Sequence, residues 1–262
     1  MDELLHGGMD NVGAVIRRGD VVDRPAQAHA PAIHRFLEAL AQQGFAGAPK
    51  PLGLGDGREQ LTFVHGEVAL EPYPEWSLAE PALASVGRLL RRFRAASSTI
   101  AVDRSVAWAR DLADPRGGPI LCHGDACVEN IVFRDGEAFA LIDFDMAAPG
   151  RPLWDLAMAA RYWVPMLDPE TIGSFPSYAG LDPLPRLRIL ADGYGMSAEE
   201  RAEFPRVIEE ATAVDRAELA ARVAAGDPLF VKVLDDHGGW ATWDRIQAWL
   251  VEQRAAFGIA LR

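Results

Sequence analysis

Apolar positions in this chain alternate at strand spacing near its start and recur at helical spacing through most of the remainder. The opening predicts strands at 12–17 and 21–24 around a turn at Gly19-Asp20. Pro31 then opens a helix to Gln43, with Ile33, Phe36, Leu37 and Leu40 on one face and Gly44 at its end. A second hairpin, 52–54 with 60–64, closes through Gly55-Asp56-Gly57. Residues 67–76 are rich in proline and acid and read as a linker. The pattern therefore divides the chain near Gly66, into a small lobe of residues 1–66 and a larger one of residues 67–262.

The larger part is mainly helical. Ser77-Leu78-Ala79-Glu80 fits a capping box, and Leu83, Val86, Leu90 and Phe93 keep helical spacing to about Ala96. Further helices are predicted at 104–112, 153–166, 186–193, 198–225 with a break at Pro205, and 240–257. Among them lies one β segment, in which 131–134 and 138–142 flank Asp135-Gly136-Glu137 as a hairpin.

Composition narrows the class. With 49% hydrophobic and 24% charged residues the chain is globular. A net charge of −12 argues against nucleic acid and anionic lipid as partners, because both need clustered cations. No apolar run approaches the ~18 residues that span a bilayer, and the start MDELLHGGMD is acidic without an apolar core, so a cytoplasmic chain is expected. Cys122 and Cys127 flank His123, but no second cluster completes a zinc site, and they read as reduced thiols.

The densest chemistry lies between Ile120 and Asp145, in ILCHGDACVENIVFRDGEAFALIDFD. A hairpin sets its outer ends side by side, so Asn130 and Asp143 are expected to meet near Asp125. Such a set suits phosphoryl transfer: one carboxylate orients the attacking hydroxyl and accepts its proton, and oxygen ligands hold magnesium on phosphates.

His123-Gly124-Asp125, Asn130 and Ile142-Asp143-Phe144-Asp145 resemble the HGD…N…DFD signature of the aminoglycoside phosphotransferase and choline kinase superfamily. Gly150-Arg151-Pro152-Leu153-Trp154-Asp155-Leu156-Ala157 resembles the segment that follows it, whose carboxylate, here Asp155, supports the catalytic loop. The resemblance implies an α+β, bilobal protein-kinase-like fold with a small N-terminal sheet lobe and a larger, mainly helical C-terminal lobe. It implies Asp125 as catalytic base, Asn130 and Asp143 as ligands of Mg2+, and ATP or GTP as donor to a small hydroxylated molecule. Gly7-Gly8 would be the remnant of a glycine-rich phosphate loop, and 61–67 resembles the hinge that meets the base, with Phe63 and His65 in it.

One departure stands out. The superfamily places a lysine on the strand before the helix, whereas this chain has only Lys50, between two prolines, and Lys232, far downstream. Arg24 is the cation at the expected position, and His34 or Glu38 stands where that lysine's partner is expected. The alternative is therefore a catalytically weak nucleotide-binding pseudo-kinase or immunity-like module.

Overall fold

The computed structural model describes residues 2–5 and 13–262, so Gly7 and Gly8 lie outside the described residues. Strands β1 (Asp2–Leu4), β2 (Ile16–Arg18) and β3 (Val21–Pro25) are followed by helix α1 (Ala30–Gln42), β4 (Pro51–Gly55) and β5 (Arg58–Thr62). They form an antiparallel sheet in the order β1-β2-β3-β5-β4. The β4–β5 turn needs two consecutive residues at positive φ, and Asp56 (52°) with Gly57 (72°) supplies them. The β3–β5 register sets Arg24 directly across from Glu59. Helix α1 buries Ile33, Phe36, Leu37 and Leu40, the face predicted for it, and also His34.

The chain then leaves this sheet. Strand β6 (Glu67–Val68) pairs with β8 (Ile131–Arg134), which pairs in turn with β9 (Glu137–Leu141). A separate ladder joins β7 (Ile120–Cys122) to β10 (Ala148–Gly150). Helices α2 (Glu80–Ser97), α3 (Trp154–Trp163), α4 (Pro169–Ser174), α5 (Pro183–Tyr194), α6 (Ala198–Ala224), α7 (Pro228–Asp236) and α8 (Gly239–Ala260) make up the rest. None of the described helices is long and apolar enough to cross a membrane.

Helices α2 and α5 pack closely because both carry glycine at the crossing. A Cβ on Gly87 would lie 2.6 Å from the Leu190 carbonyl oxygen, and one on Gly193 would lie 2.3 Å from that of Ala84. Toward the first sheet, Phe36 of α1, Phe93 of α2 and Phe144 form a triangle of edge-on rings 6.0–6.2 Å apart. Phe144 lies between Asp143 and Asp145, so this contact ties the two acids to both parts of the fold.

Several predicted elements differ. Residues 104–112 form no helix: the Asp103 carboxylate accepts from the Ser105 N–H and hydroxyl, a local turn that competes with helix formation, and Leu112 adopts φ 56°. Ser77 caps nothing. It sits in a 3-10 turn and donates to the Pro74 carbonyl, while α2 starts at Glu80 with Pro81 in its first turn. Pro205 does not break α6, which runs on through Ala224 with Phe204, Pro205, Val207 and Ile208 all buried. The capping box occurs instead at Ser197 and Glu200. Helix α7, absent from the prediction, starts where the Asp227 carboxylate accepts from Leu229 N–H.

Candidate active site

Strand β7 delivers His123-Gly124-Asp125 into a loop held from behind by α3. Buried Asp155, in the first turn of α3, accepts the His123 N–H at 3.0 Å with one oxygen and the Gly124 N–H at 2.9 Å with the other. Burial nevertheless pushes the Asp155 carboxyl up to about 6, against the opposing pull of these two bonds. Gly124 is required: its φ is 85°, and a Cβ there would lie 2.3 Å from the Met146 carbonyl oxygen.

His123 is a supporting residue. Its side chain is fully buried, with Nε2 2.9 Å from the Ile142 carbonyl oxygen and Nδ1 accepting from the Asp125 N–H at 3.2 Å. Both bonds are made at once only by the neutral ring protonated on Nε2. A second proton would face the Asp125 N–H, and burial moves the imidazole pKa down to about 4.

Asp125 is clasped by Asn130, whose amide nitrogen donates to the Asp125 carbonyl and to its carboxylate Oδ2, each at 3.0 Å. Burial, with a smaller contribution from Asp143, pushes the Asp125 carboxyl up to about 7, and Arg161 acts in the opposite direction. The Ile142 N–H donates to the Asn130 carbonyl at 2.9 Å, which closes the β8–β9 hairpin and brings Asn130 beside Asp143. Asp143 adopts φ 62°, a left-handed backbone that costs energy in a non-glycine residue.

Arg24 reaches this cluster from β3. Its Nε donates to Glu59 (2.8 Å), Nη1 to Asp143 (2.8 Å) and Nη2 to Asp145 (2.5 Å), with the side chain only 7% exposed. Burial opposes its charge, but Asp143, Asp145 and Glu59 more than offset it and raise its pKa. Glu59 also bonds His34 at 2.7 Å, while Glu38 points to solvent. Nothing in the sequence marks Glu59, because only the β3–β5 register puts it opposite Arg24.

Among the described residues, Phe63 and His65 make their contacts with groups outside this cluster. His65 bonds the Asp20 carboxylate at 2.8 Å and packs edge-on against Phe63, whose ring lies 3.7 Å from the Arg17 guanidinium carbon. The Arg134 side chain donates to the His65 carbonyl, tying this stretch to β8.

Charged groups that the sequence does not single out, Arg161, Asp215 and Glu129, also act on Asp125. Tyr73 donates to Glu129 at 2.6 Å and lies beside Tyr178, their rings 6.0 Å apart. Arg161, on α3, pairs with Asp215 of α6, and its Nη1 has no hydrogen-bond partner among the described residues. Two cavities, of about 270 and 500 Å³, are lined by neither Asp125 nor Asp143.

The donor set fits a magnesium ion carried on phosphates better than a bare one. Asn130 commits its nitrogen to Asp125, leaving the amide oxygen able to ligate, and Asp143 contributes a half-buried carboxylate. Among the described residues no group of three or more His, Cys, Asp or Glu side chains could hold a metal alone.

Residues 98–190 match the phosphotransferase enzyme family APH. Over 265 residues the chain is 31% identical to the Trifolitoxin immunity protein of Rhizobium leguminosarum bv. trifolii, covering 94% of each. The fold is that of a choline/ethanolamine kinase family protein from Mesorhizobium loti, with a TM-score of 0.64 and 19% identity over 100% of this chain and 92% of that one. It is also that of the streptomycin-ATP-APH(2")-IIa ternary complex, with a TM-score of 0.55 and 14% identity over 98% of this chain and 93% of that one. Sheet, helices and loop together define a protein-kinase-like fold of the aminoglycoside phosphotransferase and choline kinase type. The chain belongs to the APH phosphotransferase family.

Proposed function

We propose that the chain transfers the γ-phosphoryl group of ATP or GTP to a hydroxyl of a small molecule. The observation that carries this reading is the convergence of Asp125, Asn130 and Asp143 on one loop and hairpin. Asp125 accepts the acceptor's hydroxyl proton as the oxygen bonds to phosphorus; the bond from phosphorus to the β-phosphate oxygen breaks, and the nucleoside diphosphate leaves with that electron pair. Magnesium held by Asp143 and the Asn130 oxygen would supply the positive charge that fixes the phosphates. Asp155 keeps the loop in place, and neutral His123 couples it to the end of β9. Residues 1–66 would form the nucleotide-binding lobe and residues 67–262 the catalytic lobe, with Gly7, Gly8, Arg24, Phe63 and His65 facing the nucleotide.

The test is magnesium-dependent formation of ADP from ATP, or GDP from GTP, together with the phosphorylated acceptor, across a panel of hydroxylated metabolites and antibiotics, with wild type and Asp125→Asn in parallel. Transfer by wild type and its loss in a folded variant that still binds nucleotide support the reading. A second reading draws on the relative named an immunity protein: a nucleotide-binding module that protects by binding rather than by turnover. It predicts nucleotide binding with no transfer to lose.

A further inference from the structure

Arg24 has an environment unlike that of a cation reserved for phosphate. Its guanidinium is shared among carboxylates of the first sheet (Glu59) and of the segment after β9 (Asp143 and Asp145). Glu59, 1% exposed, is itself fixed by His34 and by the strand register, so the guanidinium cannot swing away without stranding a buried carboxylate. It therefore stays within hydrogen-bond distance of the proposed metal ligand Asp143.

Two consequences follow from charge. A bare divalent cation at Asp143 would be repelled by the guanidinium already paired with that carboxylate, and among the described residues no group of three or more His, Cys, Asp or Glu side chains is placed to hold it. A metal arriving on a nucleoside triphosphate belongs to a net anionic complex. Nη1 and Nη2 each spend one of their two N–H groups on a carboxylate, so each keeps one for a phosphate oxygen.

We propose that Arg24 makes this metal site nucleotide-dependent: it serves as resident counter-ion to Asp143 and Asp145, excludes free divalent cations, and admits the metal only with its phosphates. Arg24 is thus a positioning and selectivity residue. The inference rests on the reading of Asn130 and Asp143 as ligands of a nucleotide-bound metal.

Mn2+ binding, followed by electron paramagnetic resonance and calorimetry with and without the non-hydrolysable analogue AMP-PNP, tests it on the full chain. Wild type should bind Mn2+ at least about a hundredfold more tightly with the analogue than without. Arg24→Gln should strengthen free Mn2+ binding by about tenfold and weaken Mn2+–AMP-PNP binding by about tenfold. Arg24→Lys, which keeps the charge, should leave free Mn2+ binding as weak as in wild type. Opposite signs separate this role from loss of structure, which weakens both. Should Arg24→Gln unfold, the pair Arg24→Gln with Glu59→Gln removes the buried charges in balance and carries the same expectations. If free Mn2+ binds no more tightly to the folded variant while wild type binds Mn2+–AMP-PNP, the inference falls and the nucleotide site stands. If wild type binds no Mn2+–AMP-PNP, both fall.

Discussion

Asn130 holds Asp125 at two points, its one amide nitrogen donating at 3.0 Å both to the backbone carbonyl and to the carboxylate of the same residue. The carboxylate is thereby aimed by a neighbour that is itself a proposed metal ligand. The proposed base and a proposed metal ligand are tied directly to each other.

Asp125→Asn preserves the side-chain shape and an oxygen for Asn130 to bond, but it cannot take a proton. Turnover should drop by roughly 10²–10⁴, the usual share of general-base catalysis, with nucleotide affinity nearly unchanged. Steady-state transfer and calorimetric nucleotide binding on the same preparations check this. Full activity in a folded Asp125→Asn protein would remove Asp125 as the base.

Asp143→Ala should abolish the magnesium-dependent part of nucleotide stabilisation, because Asp143 is the charged member of the proposed ligand pair. Asn130→Ala should weaken it less but also lower turnover, since it frees the Asp125 carboxylate. Thermal shifts with ATP, with and without magnesium, read the first effect. An unchanged magnesium-dependent shift in Asp143→Ala refutes the assignment.

Asp155→Ala leaves the His123 and Gly124 N–H groups buried without a partner. At about 1–3 kcal/mol for each of the two unsatisfied groups, the loss should be roughly 2–6 kcal/mol of folding stability, measured by urea denaturation. A cost below about 0.5 kcal/mol, the level of an ordinary surface change, would mean that water or another group replaces the carboxylate.

How much of this was readable from sequence follows from whether the determining contacts are local. The Asp56-Gly57 and Asp135-Gly136 turns were legible because positive φ in both central residues leaves few residue choices. The set Asp125, Asn130 and Asp143 was legible because one hairpin brings its members together. Arg24 was legible as a cation in the right place, but its partners were not: Glu59 is brought to it by strand pairing, and Asp143 and Asp145 by packing across the fold. The helix expected at 104–112 does not form because the Asp103 carboxylate accepts from the Ser105 N–H and hydroxyl, a local turn that competes with it. The break expected at Pro205 failed because burial of the surrounding helix face outweighs one missing N–H.

The buried imidazole of His123 makes folding pH-dependent with a definite sign. Its pKa is moved down to about 4 in the folded chain from an ordinary value near 6.5, so below pH 6.5 the unfolded chain takes up a proton that the folded one refuses. This contribution is complete above pH 6.5 and is lost as pH falls through 4, a change of about 3.5 kcal/mol at roughly 1.4 kcal/mol per pH unit. Asp155 acts the other way. Its carboxyl, raised to about 6, contributes stability that is fully present below about pH 4 and lost as pH rises through 6. Asp125 and Asp145, each raised to about 7, act in the same direction as Asp155, so the total pH profile mixes all of these and the His123 part must be isolated by difference. His123→Gln offers an amide in place of the ring and does not titrate. The stability of wild type minus that of His123→Gln, from urea unfolding at several pH values, should be constant above pH 7 and fall steadily from pH 6.5 to 4. A difference that stays flat across that interval would show that the folded protein protonates His123 as readily as the unfolded chain, and would contradict the neutral, Nε2-protonated ring bonded to Ile142 and Asp125.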